Sequence, residues 1–272
     1  MSVAILTPLP TKYDNLTEKQ LCYYLQGIER QNKPNLHFFF TCHTPLKPQY
    51  QHYFETHLTY PFTISPLEPT QTDRVIQKAT DLALHRNELL KHAQPFNYAL
   101  FLDSDVELPE NAIEPLVSSG RDITAGVVVV PIGLQTSTDS KVEQLAVGYG
   151  NFVFINNQVA SLNFTSSLSP TLTQAGFACS ACLCLSQKAV NDNRLKFEAF
   201  QVRGKGIFLC EDTGYCYNAA KLGYRVWVNP SVQCIHHRRE ANELHHLWLK
   251  SGNRLHLNFG FEINNAENCE DE

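Results

Sequence analysis

The 272-residue sequence has no long run of Lys or Arg, and its formal net charge is −5. A nucleic-acid binder carries a basic stripe, so that class is set aside and no nucleic-acid partner is expected. No apolar stretch approaches the length needed to cross a bilayer, so no membrane span is expected. No leader is expected either: Ser2 to Leu6 is apolar but short, lacks a basic flank, and meets Pro8 and Pro10 at once. The nine cysteines are odd in number, so at least one has no intrachain partner. Without export they are expected to be reduced thiols in a soluble, cytoplasmic chain. Internal repeats and low-complexity segments are absent. Charged residues make up only 18%, but 43% are hydrophobic, which excludes disorder and allows one large core or two unequal ones. Asp and Glu gather at the far end (Glu267, Glu270, Asp271, Glu272), where they read as a solvated tail.

What is present is an alternation of strands and helices. Val3 to Thr7 reads as a buried strand, followed by a helix with Asn15 as N-cap and Glu18 closing a capping box. That helix buries Leu21, Tyr24, Leu25 and Ile28. Leu36 to Cys42 and Phe62 to Ile64 are strands, with a Pro-rich loop and one short helix between them. A long helix over Thr72 to His92 carries the apolar stripe Val75, Ile76, Ala79, Leu82, Ala83, Leu89 and Leu90. Asn97 to Leu102 is a buried strand, Pro109 opens a helix through Val117, and Ile123 to Val130 is another strand. Further on, Thr136 to Ser140 and Asn163 to Thr173 look like loops, and Val147 to Ile155 a hairpin. Phe177 to Leu185 reads as one strand, Glu211 to Leu222 as a helix stopped by Gly223, and Tyr224 to Val228 as a strand. This order predicts an α/β fold with a mostly parallel central sheet, helices on both faces and a small antiparallel portion. The expected organisation is one domain over 1–240, with a nucleotide-binding half (1–130) and an acceptor half (131–240) sharing a sheet. A C-terminal helix and acidic tail follow over 241–272.

The chemistry centres on Asp103-Ser104-Asp105, at the carboxyl end of a buried strand. Ligands of open α/β sheets bind at that edge. Side chains two apart in extended backbone point the same way, so both carboxylates could converge on one hard cation, Mn²⁺ or Mg²⁺. Such an ion, shared with substrate phosphates, binds a diphosphate; the bland reading is a solvated turn. Arg86 lies within the apolar stripe of its helix, where a guanidinium needs an anion, either a phosphate or the Asp103/Asp105 pair. A snorkelling Arg at the stripe's edge is the alternative.

Glu211 and Asp212 open the late helix. Asp212 shares a small-residue face with Cys216, Ala219 and Gly223, so it is expected to look inward and to suit a general base. Glu211 shares its face with Tyr215, Asn218 and Leu222 and is expected to point away, and either acid also suits the helix N-terminus. His236 and His237 follow a strand that starts near Val232, and an imidazole there could complete a metal shell. Cys179, Cys182 and Cys184 have no second C-x-x-C and sit in an apolar strand, so they read as buried thiols.

Several segments in one order resemble the GT-A glycosyltransferases, family-2-like and Anp1-like. They are Leu84 to Leu90, Asn97 to Val106, Pro109, Gly120 to Ile123, Gly176 to Cys179, Glu211 to Cys216, Leu222 to Pro230, and His236. The likeness runs from about Val3 to His237. It implies a divalent-metal-dependent transferase acting on a nucleotide-diphosphate sugar and a glycan or other hydroxyl acceptor. By that resemblance Asp103, Ser104 and Asp105 hold metal and donor, Asp105 being the direct ligand. Asp212 corresponds to the base of inverting members, with Glu211 beside it, and His236 to the late histidine of the metal shell. Thr7 and Pro8 fall where the first strand touches the nucleotide, and Arg86 near the diphosphate. The doubled His236-His237 leaves the ligand between the two open, and the segment after Glu240 has no counterpart.

Two other readings use the same acids. A haloacid-dehalogenase-like phosphatase also has Asp-x-Asp after a buried strand, but expects Thr or Val where Glu107 stands and a position nearer the N-terminus. A catalytically inactive nucleotide-sugar-binding module would need no inward base. A nucleotidyltransferase is disfavoured because no Gly-rich, Lys-containing loop follows Leu6.

Overall fold

The structure is a computed structural model, and it describes residues 1–9, 18–33, 35–43, 48–68, 74–137, 140–147, 149–155, 158–163, 171–202 and 207–237. The expected cap Asn15 and everything expected over 241–272 lie outside the described residues. In chain order the first elements are β1 (Val3–Pro8), α1 (Glu18–Glu29), β2 (Leu36–His43), α2 (Pro48–His57), β3 (Phe62–Leu67), α3 (Arg74–Ala93) and β4 (Tyr98–Leu102). Then come β5 (Val106–Glu107), α4 (Ile113–Val117), β6 (Ile123–Ser137), β7 (Ser140–Val147), β8 (Tyr149–Ile155) and β9 (Gln158–Asn163). The chain continues through β10 (Thr173–Ala175), β11 (Phe177–Ala178), β12 (Cys182–Ser186), α5 (Gln187–Val190), β13 (Phe200–Val202) and β14 (Ile207–Leu209). It closes with α6 (Glu211–Lys221) and β15 (Val226–His236).

A ten-stranded sheet in the order β10-β15-β6-β12-β4-β1-β2-β3, with β5 and β7 attached to β15 and β6, organises the fold. β1, β2, β3 and β4 pair in parallel, and β6 pairs in parallel with β15. β12 runs antiparallel to both β4 and β6, so β6 and β15 point the same way as the first four strands. The alternation of side chains across a strand builds two cores. Ala4, Leu6, Phe39, Ala99 and Phe101 face α3, α5 and α6, packing with Leu89, Ala189 and Tyr215. Val3, Ile5, Phe38, Phe40, Leu100 and Leu102 face α1, α2 and α4, packing with Tyr24, Phe54 and Leu116. The predicted stripe of α1 is buried in full, and on α3 Ala79, Ala83, Leu89 and Leu90 are buried and Leu82 partly so. The side chains of Val75 and Ile76 are outside the description.

Four boundaries differ from expectation, each for a tertiary reason. Pro109 does not open a helix: Asn111 takes φ +54°, and α4 starts only at Ile113. Gln31 organises that turn, donating from Nε2 to Pro109 O (2.7 Å) and accepting the Ile113 N–H at Oε1 (3.1 Å). Phe177 to Leu185 is two strands, because β11 pairs with β8 in another sheet and β12 inserts between β4 and β6. The late strand does not end at Val228. It continues to His236 through an irregularity between Asn229 and Gln233, where Pro230 lacks a ladder donor. The expected loop from Thr136 to Ser140 is narrower, since Thr136 and Ser137 pair with Lys141 and Ser140 in a hairpin. One close approach requires glycine: a Cβ at Gly27 of α1 would lie 2.5 Å from the backbone nitrogen of Leu108, just beyond β5.

Candidate active site at the carboxyl edge of the sheet

Strand β4 delivers Asp103 to its carboxyl end, where the Asp103 N–H donates to Ala181 O at 3.2 Å and its carbonyl accepts from Val106 N at 3.0 Å. Ser104 and Asp105 therefore occupy a turn rather than extended backbone. The two carboxylates consequently do not converge as alternation predicted. Asp103 Oδ1 accepts from Arg86 Nη2 at 2.9 Å, whereas Asp105 Oδ2 lies 3.1 Å from His236 Nε2. Ser104 is buried between them in sequence. Of the expected metal set Asp103, Asp105 and His236, the structure places Asp105 beside His236 and Asp103 against Arg86.

Arg86 is 3% exposed and is sandwiched: Nη2 binds Asp103, and Nη1 binds Glu211 Oε1. The predicted anion for this guanidinium is thus supplied by the protein, half from the expected acid and half from an unexpected one. Burial alone would lower the Arg86 pKa, but the charges of Asp103, Glu211 and Asp212 override it and raise it. Burial pushes the Glu211 carboxyl upward, with Asp212 and Asp103 adding to the rise against the pull of Arg86. Glu211 is therefore an inward, buried acid, contrary to the expectation that it points away from the site.

Asp212, expected to be the inward one, is half-buried beside it. Its Oδ1 accepts from Thr213 N (2.7 Å) and Cys210 Sγ (2.8 Å), and Oδ2 takes part in neither bond. Part of Asp212 therefore satisfies orphan donors of the α6 N-terminus, whose N-cap Cys210 makes no side-chain capping bond. Cys210, Glu211 and Asp212 form the one group of three metal-ligating types among the described residues whose ligand atoms lie within 4.8 Å of one another. Its Glu211 is already held by Arg86.

The two histidines separate cleanly. His236 ends β15 on the side of Asp105 and leaves Nδ1 buried without a partner. His237 turns the other way, bonding Glu107 Oε2 at 2.8 Å and stacking on Tyr23 at 3.9 Å between ring centroids. Burial opposes charge on Glu107, but the hydrogen bonds from His237 and from Arg30 (2.6 Å) outweigh it and hold its carboxyl below the usual range. His237 is therefore committed to Glu107, and His236 is the residue beside Asp105.

Thr7 and Pro8 close β1 at its carboxyl end. Both are buried, and Thr7 Oγ1 is paired with Tyr24 Oη at 2.8 Å. Sequence reasoning also missed a polar group on α3: Asp81 and His85 are 1% exposed and pack with His43 at the end of β2. Both ring nitrogens of His85 lack partners, and burial, with His43 and Arg86, lowers its pKa to about 4 against a pull from Asp81. The spacing of Asp81, His85 and Arg86 along one helix was the available signal. The cysteines within the described residues are unpaired; Cys182 and Cys184 are buried and Cys179 partly so.

No protein-family model matches the chain, and no curated protein matches it in sequence. The fold is of the GT-A type. The crystal structure of GalNAc-T7 with UDP, GalNAc and Mn²⁺ superposes with a TM-score of 0.55 at 11% identity, over 86% of this chain and 43% of that one. TarS 1-349 of S. aureus in complex with UDP-GlcNAc gives a TM-score of 0.48 at 14% identity, over 88% of this chain and 60% of that one. A197 from STIV gives 0.44 at 11% identity, over 88% and 87%. The chain thus spans less than two thirds of the TarS segment and less than half of GalNAc-T7. Among the described residues no helix is long and apolar enough to cross a membrane.

Proposed function

We propose that the chain is a metal-dependent glycosyltransferase that moves a sugar from a nucleotide-diphosphate sugar to an acceptor hydroxyl. The observation that carries this reading is the set of groups at one sheet edge: Asp105 beside His236, and Arg86 held between Asp103 and Glu211 next to Asp212. Asp103, Glu211 and Asp212 act on one guanidinium and Asp105 lies beside His236, so carboxylates outnumber the fixed cation at this edge, which suits a metal ion. The GT-A fold supports the same class, and the UDP, GalNAc and Mn²⁺ in the GalNAc-T7 structure support the ligand types.

A carboxylate oxygen and an imidazole nitrogen suit Mn²⁺ or Mg²⁺, and the unpartnered Nδ1 of His236 shows that its hydrogen-bonding capacity is not used up inside the protein. Asp105 and His236 would hold the ion, which when bound neutralises charge on a leaving diphosphate. Asp212 is the base: with Oδ1 occupied by the helix end, Oδ2 accepts the acceptor's proton. Proton removal at the acceptor and direct displacement at the anomeric carbon invert that centre, through a transition state of oxocarbenium character. Arg86 positions Asp103 and Glu211, and Glu211 is too enclosed to meet an acceptor. The phosphatase alternative gains no support from this fold.

The experiment is a nucleotide-sugar screen with Mn²⁺, Mg²⁺ or EDTA, read by thermal shift and by nucleoside-diphosphate release, on the wild type and Asp105→Asn. Donor binding should need the ion and vanish in Asp105→Asn. Equal donor affinity with the ion and with EDTA would sink the metal assignment. Metal-dependent binding with no diphosphate release for any donor and acceptor would leave the inactive binding module.

A further inference from the structure

We propose a second ligand site at the opposite edge of the sheet: a cleft that binds a phosphate-bearing small molecule. β6 and β15 start there side by side, Ile123 against Val226, and antiparallel β12 ends there, with Leu185 against Ile123. The three connections at this edge enclose a cleft of about 380 Å³, within the range of small-molecule sites. Gly120 (φ +65°) and Gly223 (φ +84°) form its rim, and a Cβ on either would meet nothing within 4 Å, so the mouth is open.

The lining is basic on a chain whose net charge is negative. Arg121, Lys188, Arg194 and Arg225 face Asp122 alone among the acids of the cleft wall. Asp122 is consumed: Lys188 Nζ donates to it at 2.6 Å and Ser186 Oγ at 2.8 Å. Arg194 makes a two-pronged pair with Asp192 just outside, which also accepts from Tyr224 Oη at 3.0 Å. That leaves Arg121 and Arg225, which form no ion pair among the described residues.

Arg121 is not a loose surface cation. Its guanidinium lies 4.1 Å from the centroid of Trp227, and Lys188 lies 5.1 Å from that of Tyr224. Stacking fixes the plane of a guanidinium and leaves its N–H edges to bind. Arg121 and Arg225 offer two guanidinium forks to one cleft, and a phosphate, with more charge and more acceptor oxygens than a carboxylate, can accept from both. The cleft is separated from His236 by the whole of β15, eleven residues and roughly 30 Å of strand. A ligand here therefore touches no reacting atom at the carboxyl edge, and the proposal stands independently of the glycosyltransferase reading.

The test uses the full chain in EDTA and low salt, with inorganic pyrophosphate titrated by calorimetry. Binding should weaken at least about tenfold in the double variant Arg121→Ala/Arg225→Ala, because two charge-assisted contacts are lost. It should be unchanged in Asp105→Asn, which alters the other edge, and in Lys91→Ala, which removes an exposed cation elsewhere. Absence of pyrophosphate binding overturns the site, as does loss of binding in Asp105→Asn. Equal weakening by Lys91→Ala overturns it in favour of diffuse charge attraction. Binding of anionic phospholipid vesicles without pyrophosphate binding overturns it in favour of a membrane surface.

Discussion

The two edges of the central sheet handle charge in opposite ways. At the carboxyl edge Arg86 is 3% exposed and locked between Asp103 and Glu211. At the amino edge the side chains of Lys188 and Arg194 are 70% and 68% exposed, and their pairs lie in solvent. Breaking a buried pair leaves an uncompensated charge in a poorly solvated place, whereas an exposed pair is screened and worth little. The same sheet therefore buries a structural ion-pair cluster around Arg86 at one edge and keeps its cations exposed at the other.

Arg86→Met should have the largest effect on stability, since it strands Asp103 and Glu211. A loss of about 3–5 kcal/mol is expected in urea unfolding. A loss under about 1 kcal/mol would mean that the acids hydrate or protonate readily, and that the contrast between the edges is overstated. The mechanism sharpens the comparison within the carboxyl edge. Asp212→Asn should lower transfer by at least about a hundredfold with donor Kd preserved. Glu211→Gln, by contrast, should show itself mainly as lost stability through Arg86. Near-native turnover in Asp212→Asn would remove the base.

A third expectation concerns pH. His85, one residue before Arg86, has its pKa lowered to about 4 chiefly by burial, with His43 and Arg86 adding to the fall and Asp81 opposing it. The unfolded chain takes up a proton near the ordinary histidine value of 6.5, but the folded chain does not until about pH 4. Stability should be fully present above about pH 6.5 and decline as the pH falls to about 4, by on the order of 3 kcal/mol. Urea unfolding of the wild type and His85→Gln across that window checks this. A wild-type slope no steeper than that of His85→Gln would show that His85 is not held neutral. The smallest effect belongs to the amino edge: Arg121→Ala should leave stability within about 0.5 kcal/mol, measured by the same unfolding. A larger loss would mean that its stack on Trp227 supports the fold rather than a ligand.

Much of the architecture was legible because it is local. The unbroken apolar run that marks Val3 to Thr7 as a buried strand and the stripe of Leu21, Tyr24, Leu25 and Ile28 are properties of neighbouring residues, and both match the burial seen. The doubled histidine was legible as an ambiguity only. Alternation sends His236 and His237 to opposite sides, but it does not say which side holds Asp105 and which holds Glu107.

By its own periodicities the sequence determined the strand–helix order and the buried strand that delivers Asp103, and it put Arg86 on an apolar stripe without deciding between an anion and snorkelling. Only the tertiary structure decided that Arg86 is buried and which anions it meets. On α6 the buried arc includes Tyr215 as well as Cys216 and Ala219, so both Glu211 and Asp212 border it. The choice between them fell to Arg86, 125 residues away in the chain. It likewise placed Ser104 and Asp105 in a turn, parting two carboxylates that extended backbone would have aligned. The reason is physical: periodicity reports which face of an element is apolar, whereas a buried charge is oriented by the opposite charge that packing brings within reach.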